Sequence, residues 1–228
     1  MSRLLICFFL MIVSIIGTSA APAAKSLKLR VIFFEPSSDD PTELYVPNDG
    51  KGAFLQVKPG SSIGSDKISC PLSSSGKITF SKSRNATDVI AVAEIPPEVM
   101  EANLFFVKRE KPDAGQPLYD VVVVDNSRAA IPDGGLAAAN ATDSPLKVTV
   151  GTESGEVAPG KHFIARRPDD RDEYNMAPFN VSIKQGADWK TLKNNTMRYA
   201  EAERYFVIIH SPSKTSRPTV RIYKQVKP

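Results

Sequence analysis

An all-β fold is predicted by three features of this sequence. Apolar and polar residues alternate over short runs, prolines separate most of those runs, and the pattern repeats after about 100 residues. A period of two is the signature of a strand with one buried face, whereas an amphipathic helix has a period of 3.6. The 18 prolines outnumber the 13 glycines, and proline breaks helices while tolerating turns and strand ends. Strands do not alternate with long helical segments, so a parallel α/β sheet is not expected.

The chain opens with Arg3, an apolar stretch from Leu4 to Gly17, and small residues at Thr18-Ser19-Ala20. This order reads as a cleavable secretory signal peptide over residues 1–20, with cleavage as late as residue 23 through Ala21-Pro22-Ala23. The apolar stretch falls short of the roughly 20 residues that span a membrane. A mature, exported chain beginning at Ala21 or Ala24 follows, located in a periplasm, cell envelope or extracellular space. Losing the leader removes Arg3 and Cys7 and leaves 28 basic against 25 acidic residues. The excess is mild and the two signs are interspersed, so no nucleic-acid partner is expected. Cys70 remains alone, so no intrachain disulfide can form; it reads as a small buried core residue.

Strand candidates follow in order at Leu27–Phe34, Leu44–Val46, Ala53–Val57, Lys77–Phe80, Asp88–Ile95, Leu104–Lys108 and Leu118–Val124. Turn clusters such as Pro47-Asn48-Asp49-Gly50 and Ser73-Ser74-Ser75-Gly76 lie between them. Pro97–Ala102 is the one plausible helical turn. The second series runs through Leu136–Ala139, Leu146–Val150, Glu153–Val157, His162–Arg166, Phe179–Lys184, Trp189–Met197, Tyr205–Ile209 and Thr219–Tyr223.

The two series are related. Val57-Lys58-Pro59-Gly60 recurs as Val157-Ala158-Pro159-Gly160, and Leu104-Phe105-Phe106-Val107 recurs as Tyr205-Phe206-Val207-Ile208. Pro41–Val46 is matched by Pro145–Val150, and Lys77–Ser81 by Asn180–Lys184. The nearly constant offset predicts two tandem β-sandwich domains of immunoglobulin-like size, residues 27–125 and 135–225. The alternative is one larger β domain. The terminal segments Leu27–Phe34 and Thr219–Tyr223 are expected at sheet edges, guarded by Lys28, Arg30, Arg221 and Lys224.

One family resemblance is carried by particular residues. These are Leu118-Tyr119-Asp120-Val121-Val122-Val123-Val124-Asp125-Asn126-Ser127, Ile131-Pro132-Asp133-Gly134-Gly135 and Ala139-Asn140-Ala141-Thr142. With the turn at 157–160 and Trp189, they resemble exported bacterial proteins of unknown function built from immunoglobulin-like repeats. The likeness lies mainly in the second half. It implies a fold and a compartment but no activity.

Candidate chemistry is sparse. Metal sites need converging ligands, and the mature chain has only His162 and His210, far apart in sequence. Asp169-Asp170-Arg171-Asp172-Glu173 lacks the spacing and glycine of a calcium loop and reads as solvated. No G-x-S-x-G elbow or helix-opening glycine loop is present. No catalytic, cofactor-binding or metal residue is therefore named, and no cofactor is expected. Trp189, Tyr174 and Tyr199 are the candidates for a sugar-binding face, with Trp189 read first as a packing residue. Asn85, Asn140, Asn180 and Asn194 head sequons that matter only in a glycosylating pathway. The expected role is non-catalytic binding or structure, toward another envelope protein or a polysaccharide. The alternative is a carbohydrate-active or other hydrolase.

Overall fold

The computed structural model describes residues 25–48, 53–64, 66–85, 87–211 and 217–226. The expected signal peptide, residues 1–20, lies outside them, as do Asp49, Gly50 and Ser65. The described residues form sixteen strands and no helix, so the chain is all-β. The first half contains β1 (Ser26–Phe33), β2 (Leu44–Asn48), β3 (Ala53–Val57), β4 (Ile68–Pro71), β5 (Lys77–Ser81), β6 (Val89–Glu94), β7 (Glu101–Lys108) and β8 (Tyr119–Asp125). They make two four-stranded sheets, ordered β4-β1-β7-β8 and β3-β2-β5-β6.

The second half contains β9 (Leu136–Ala141), β10 (Leu146–Val150), β11 (Glu153–Val157), β12 (His162–Ala165), β13 (Met176–Gln185), β14 (Asp188–Arg198), β15 (Glu203–His210) and β16 (Thr219–Val226). Its sheets are ordered β12-β9-β15-β16 and β11-β10-β13-β14. Adding eight to each strand number of the first half thus reproduces the second. β1 runs parallel to β7, as β9 does to β15, and other neighbours pair antiparallel. The matched strands β5 and β13 both carry a register shift, at Phe80/Ser81 and Val181/Ser182.

The ladders refine the sequence alignment. Leu44 faces Val57 and Leu146 faces Val157, so β2 and β10 align two residues away from the offset read from Pro41 and Pro145. The first half then has two more residues between Leu44 and Val57 than the second has between Leu146 and Val157, which restores the offset of the Pro-Gly turns, and each slip of two keeps every side chain on its face. The Pro-Gly turns occupy the same place in strand order but seat differently. Gly60 bridges parallel to Ile32, whereas Gly160 leads into the antiparallel β12–β9 pair.

Alternation explains how each pair of sheets encloses a core. Leu27, Leu29, Val31 and Phe33 of β1 and Leu104 and Phe106 of β7 point inward onto Leu44, Ile78, Phe80 and Ala91. Phe106 meets Phe80 edge-on at 5.1 Å and Phe33 at 5.9 Å. In the second half, Leu136, Val207 and Ile209 face Leu146, Val148, Phe179 and Val181. Cys70 is fully buried in the first core and is a free thiol, as expected.

A third apolar layer joins the halves. The opposite faces of β1, β7, β9, β15 and β16 contribute Ile32, Phe105, Val107, Ala137, Ala139, Phe206, Ile208 and Tyr223, joined by Phe34 just past β1. Small Ala137 and Ala139 leave room for aromatic rings, with Phe105 at 5.0 Å from Tyr223 and 6.4 Å from Phe206. The Tyr223 hydroxyl donates to the Phe34 carbonyl at 3.0 Å, so its polar end is satisfied inside the layer. Because β7 and β15 bury both faces, they read as continuous apolar runs rather than alternating ones.

Two expectations are corrected. Leu27–Phe34 is no edge: β1 lies between β4 and β7, its backbone pairing antiparallel with Ile68–Pro71 on one flank and parallel with the strand from Glu101 on the other. Thr219–Tyr223 does lie on an edge strand, β16. Pro97–Ala102 forms no helical turn; the Val99 N–H bonds the Pro96 carbonyl in a single tight turn, and β7 begins at Glu101. Ile68–Pro71, not assigned from sequence, is strand β4, held against β1 with Leu27 opposite Cys70.

Candidate functional site

The junction of the halves opens into two clefts, each lined by both halves. The first, about 520 Å³, lies between Glu94 and Asp120–Val123 on one side and Ala139–Asp143, Pro159–His162 and His210 on the other. It gathers both histidines of the sequence. His210 ends β15 opposite Ala141, and its Nδ1 lies 3.2 Å from the Ala141 carbonyl. Its ring stands edge-on to Phe34 at 5.6 Å. Burial holds His210 below the usual histidine range, against the opposing pull of Ala141, Asp120 and Glu35.

His162 begins β12 opposite Ala139 and is exposed. β9 separates β12 from β15, so the two histidine backbones stand about two strand spacings, ~10 Å, apart. The described residues contain no group of three or more His, Cys, Asp or Glu able to hold a metal ion. Asp120 is engaged by the Arg109 guanidinium, with Nε at 3.0 Å.

The second cleft, about 730 Å³, is strongly basic. Arg30, Lys67, Arg128, Arg204 and Lys224 line it, against only Asp66 and Glu101 among acids. Arg204, at 8% exposure, is the most deeply placed cation. Its Nη1 donates to the carbonyls of Asn126 at 2.9 Å and Ile131 at 3.4 Å, and its Nη2 to Gln225 Oε1 at 3.1 Å. Burial lowers the pKa of both Arg204 and Arg30; Glu101 opposes this on each, and the Arg204 charge adds to it at Arg30. Glu101 is paired with Lys67 and accepts from Asn126 Nδ2 at 2.7 Å. Arg128 pairs with Asp133 at 3.8 Å and Lys224 with Glu203 at 2.9 Å.

This cleft was not legible as a site in the sequence. Arg30 reads as the polar face of an alternating strand, and Glu101 and Arg204 sit at the starts of apolar runs. The available signal was the unbroken run Ile32-Phe33-Phe34, which marks a strand covered on both faces and so turns Arg30 toward a neighbour.

Other sequence candidates separate in space. Tyr199 is fully buried against Tyr205 at 5.5 Å and cannot serve a sugar-binding face; apolar packing in the second core claims it. Tyr174 is 68% exposed. Trp189 is half-buried beside the β13–β14 turn, with Lys184 Nζ 5.9 Å from its ring centre. In the acidic loop, Asp172 Oδ1 accepts from the Tyr174 and Met176 N–H groups at 2.9 and 2.8 Å, so it ties a turn. The Asn140 sequon is a structural device: at 2% exposure its amide donates to the Val157 and Ser144 carbonyls at 2.8 and 2.9 Å. A glycan there would require breaking those bonds. Asn85 and Asn194 are exposed and Asn180 half-buried.

No helix among the described residues is long and apolar enough to cross a membrane. No protein-family model matches the sequence, and comparison with curated proteins finds no match.

Proposed function

We propose that the chain is an exported, non-catalytic binding or structural protein of the cell envelope or extracellular space. In this reading a leader over residues 1–20 is removed. Residues 27–125 and 135–225 are two immunoglobulin-like sandwich domains, in keeping with the resemblance to exported bacterial repeat proteins. The observation that carries the proposal is the apolar layer between the halves, which fixes two clefts whose walls come from both. Clefts held open on rigid sheets suit recognition, because little ordering is required when a partner arrives. The partner is another envelope protein or a polysaccharide.

A second reading, as a hydrolase, has one observation in its favour: His162, His210, Asp120 and Glu94 border one cleft. Pull-down from an envelope extract beside a hydrolase substrate panel separates the two. A specific partner with no turnover is the expected result. Turnover abolished by His162→Gln or His210→Gln would overturn the binding proposal. Intact mass of the exported protein should place its first residue at Ala21 or Ala24, and a retained leader would refute the processing.

A further inference from the structure

We propose that the first cleft is a docking slot for one extended peptide strand of a partner protein, which pairs with the free edge of β8. The inference rests on the binding reading and names the kind of partner.

Backbone geometry carries the first part of the case. β8 ends its sheet, with β7 on one flank and no strand on the other. Just beyond the ends of the β7–β8 ladder, the Arg109 N–H donates to the Leu118 carbonyl and the Asn126 N–H to the Glu101 carbonyl. Bonded and non-bonded pairs alternate along an antiparallel ladder. Val122 and Val124 therefore turn their backbone groups to β7, while Val121 and Val123 turn theirs to the free side. Both of the latter line the cleft, within a row of four valines. Other sheet edges carry charge that discourages pairing, with Lys190, Lys193 and Arg198 on β14 and Arg221 and Lys224 on β16. Between Asp120 and Asp125, β8 carries none.

Shape supplies an independent second part and selects the occupant. Val107 and Ala139 belong to the apolar layer between the halves, Val122 packs against it, and all three line the cleft. The slot is thus the open continuation of an interface the protein already uses. An added strand lays alternate side chains on that layer. The opposite wall includes Pro159, Gly160 and His162 of the second half. Burial lowers the His162 pKa and the Val123 carbonyl opposes it, which puts the ring beside the β8 edge. The remaining space, about 520 Å³, holds a few residues of extended chain and excludes the sheet of a second copy. The occupant is a single segment, small or β-branched where it faces the layer and polar where it faces the rim of Glu94, Asp143 and Lys161. Its main chain supplies affinity and its alternate side chains selectivity.

The test uses the whole purified protein and a random peptide library displayed on phage. Selected peptides are then synthesised and titrated by fluorescence anisotropy. Wild type should select peptides in which β-branched and polar residues alternate, with dissociation constants between about micromolar and millimolar. Val121→Pro and, separately, Val123→Pro each remove one outward N–H without costing a bond to β7. Each should weaken binding at least about tenfold. Lys190→Gln on distant β14 should leave it unchanged. Circular dichroism identifies any variant that fails to fold, and amide exchange in the unaltered protein needs no variant. There the peptide should slow exchange at Val121 and Val123 at least about tenfold. Failure to select any peptide overturns the slot. So does binding that ignores both proline variants and leaves the two amides unprotected, which keeps the binding reading intact elsewhere on the surface. Peptides held at Val121 and Val123 but hydrolysed there would do the reverse, sustaining the slot and sinking the non-catalytic reading.

Discussion

Phe105→Ala is the sharpest probe of how the halves are joined. Phe105 is fully buried, yet it points away from the core of its own half and into the layer between the two. Its ring contacts those of Tyr223 and Phe206, both from the second half. Burying a phenylalanine and then deleting it costs about 3–5 kcal/mol, the higher end applying where neighbours cannot move in to fill the space. Here Ala137 and Ala139 are too short to do so and sit on a strand pinned between β12 and β15. We therefore expect a loss toward the upper half of that range, all of it drawn from the coupling between halves. Urea unfolding followed by fluorescence of Trp189, the chain's single tryptophan and a reporter of the second half, is compared with far-ultraviolet circular dichroism of the whole. In wild type the two curves should coincide; in Phe105→Ala they should separate, as cooperativity between the halves is lost. A loss below about 1 kcal/mol, or wild-type curves that already separate, would refute the reasoning.

Other outcomes follow from single side chains. Cys70 should label slowly in the native state, because burial pushes its thiol up to about 11; since the unfolded thiol ionises near 8.5, stability should fall between about pH 8.5 and 11, and a Cys70→Ala variant should lack that part of the alkaline slope. Rapid native labelling would contradict the buried position. Asn140→Ala should cost about 2 kcal/mol or more in thermal or chemical unfolding, since the Val157 carbonyl and the Thr142 N–H lose this partner inside the fold; a neutral result would mean solvent replaces the amide. His210 has a folded pKa below its unfolded value near 6.5, so the protein should lose stability as pH falls below about 6.5. His210→Gln should flatten that acid limb in urea titrations at several pH values, and an unchanged limb would remove His210 from the account.

Period-two alternation reported local structure well here and long-range neighbours poorly. It marks a strand and its buried face, and most strands were placed on that basis, together with the recurrence of the Pro-Gly turns. It is silent about what covers the other face. Arg30 looked like an edge guard because its face is polar, yet that face meets the second half. β4 escaped notice because four residues ending in proline are too short to show a period. Of the two clefts, the histidines were visible as residues but their meeting was not, since it depends on β9 standing between β12 and β15. The basic cleft was less visible still. Its members come from strands and a connecting segment that are distant in sequence, and each taken alone has an ordinary solvent-facing explanation.

The parallel pairing of β1 with β7 has a consequence for how the chain must be made. Leu29 lies opposite Ala102 and Val31 opposite Leu104, so the first strand waits for the seventh before its sheet can close. The same delay is repeated between Leu136 and Tyr205. Contacts of such long range slow folding, because chain closure precedes any return from packing. A chain emerging from its N-terminus would therefore carry Ser26–Phe33 with one flank unpaired until Glu101–Lys108 is released. That interval is the time in which its apolar strand is open to the wrong neighbour.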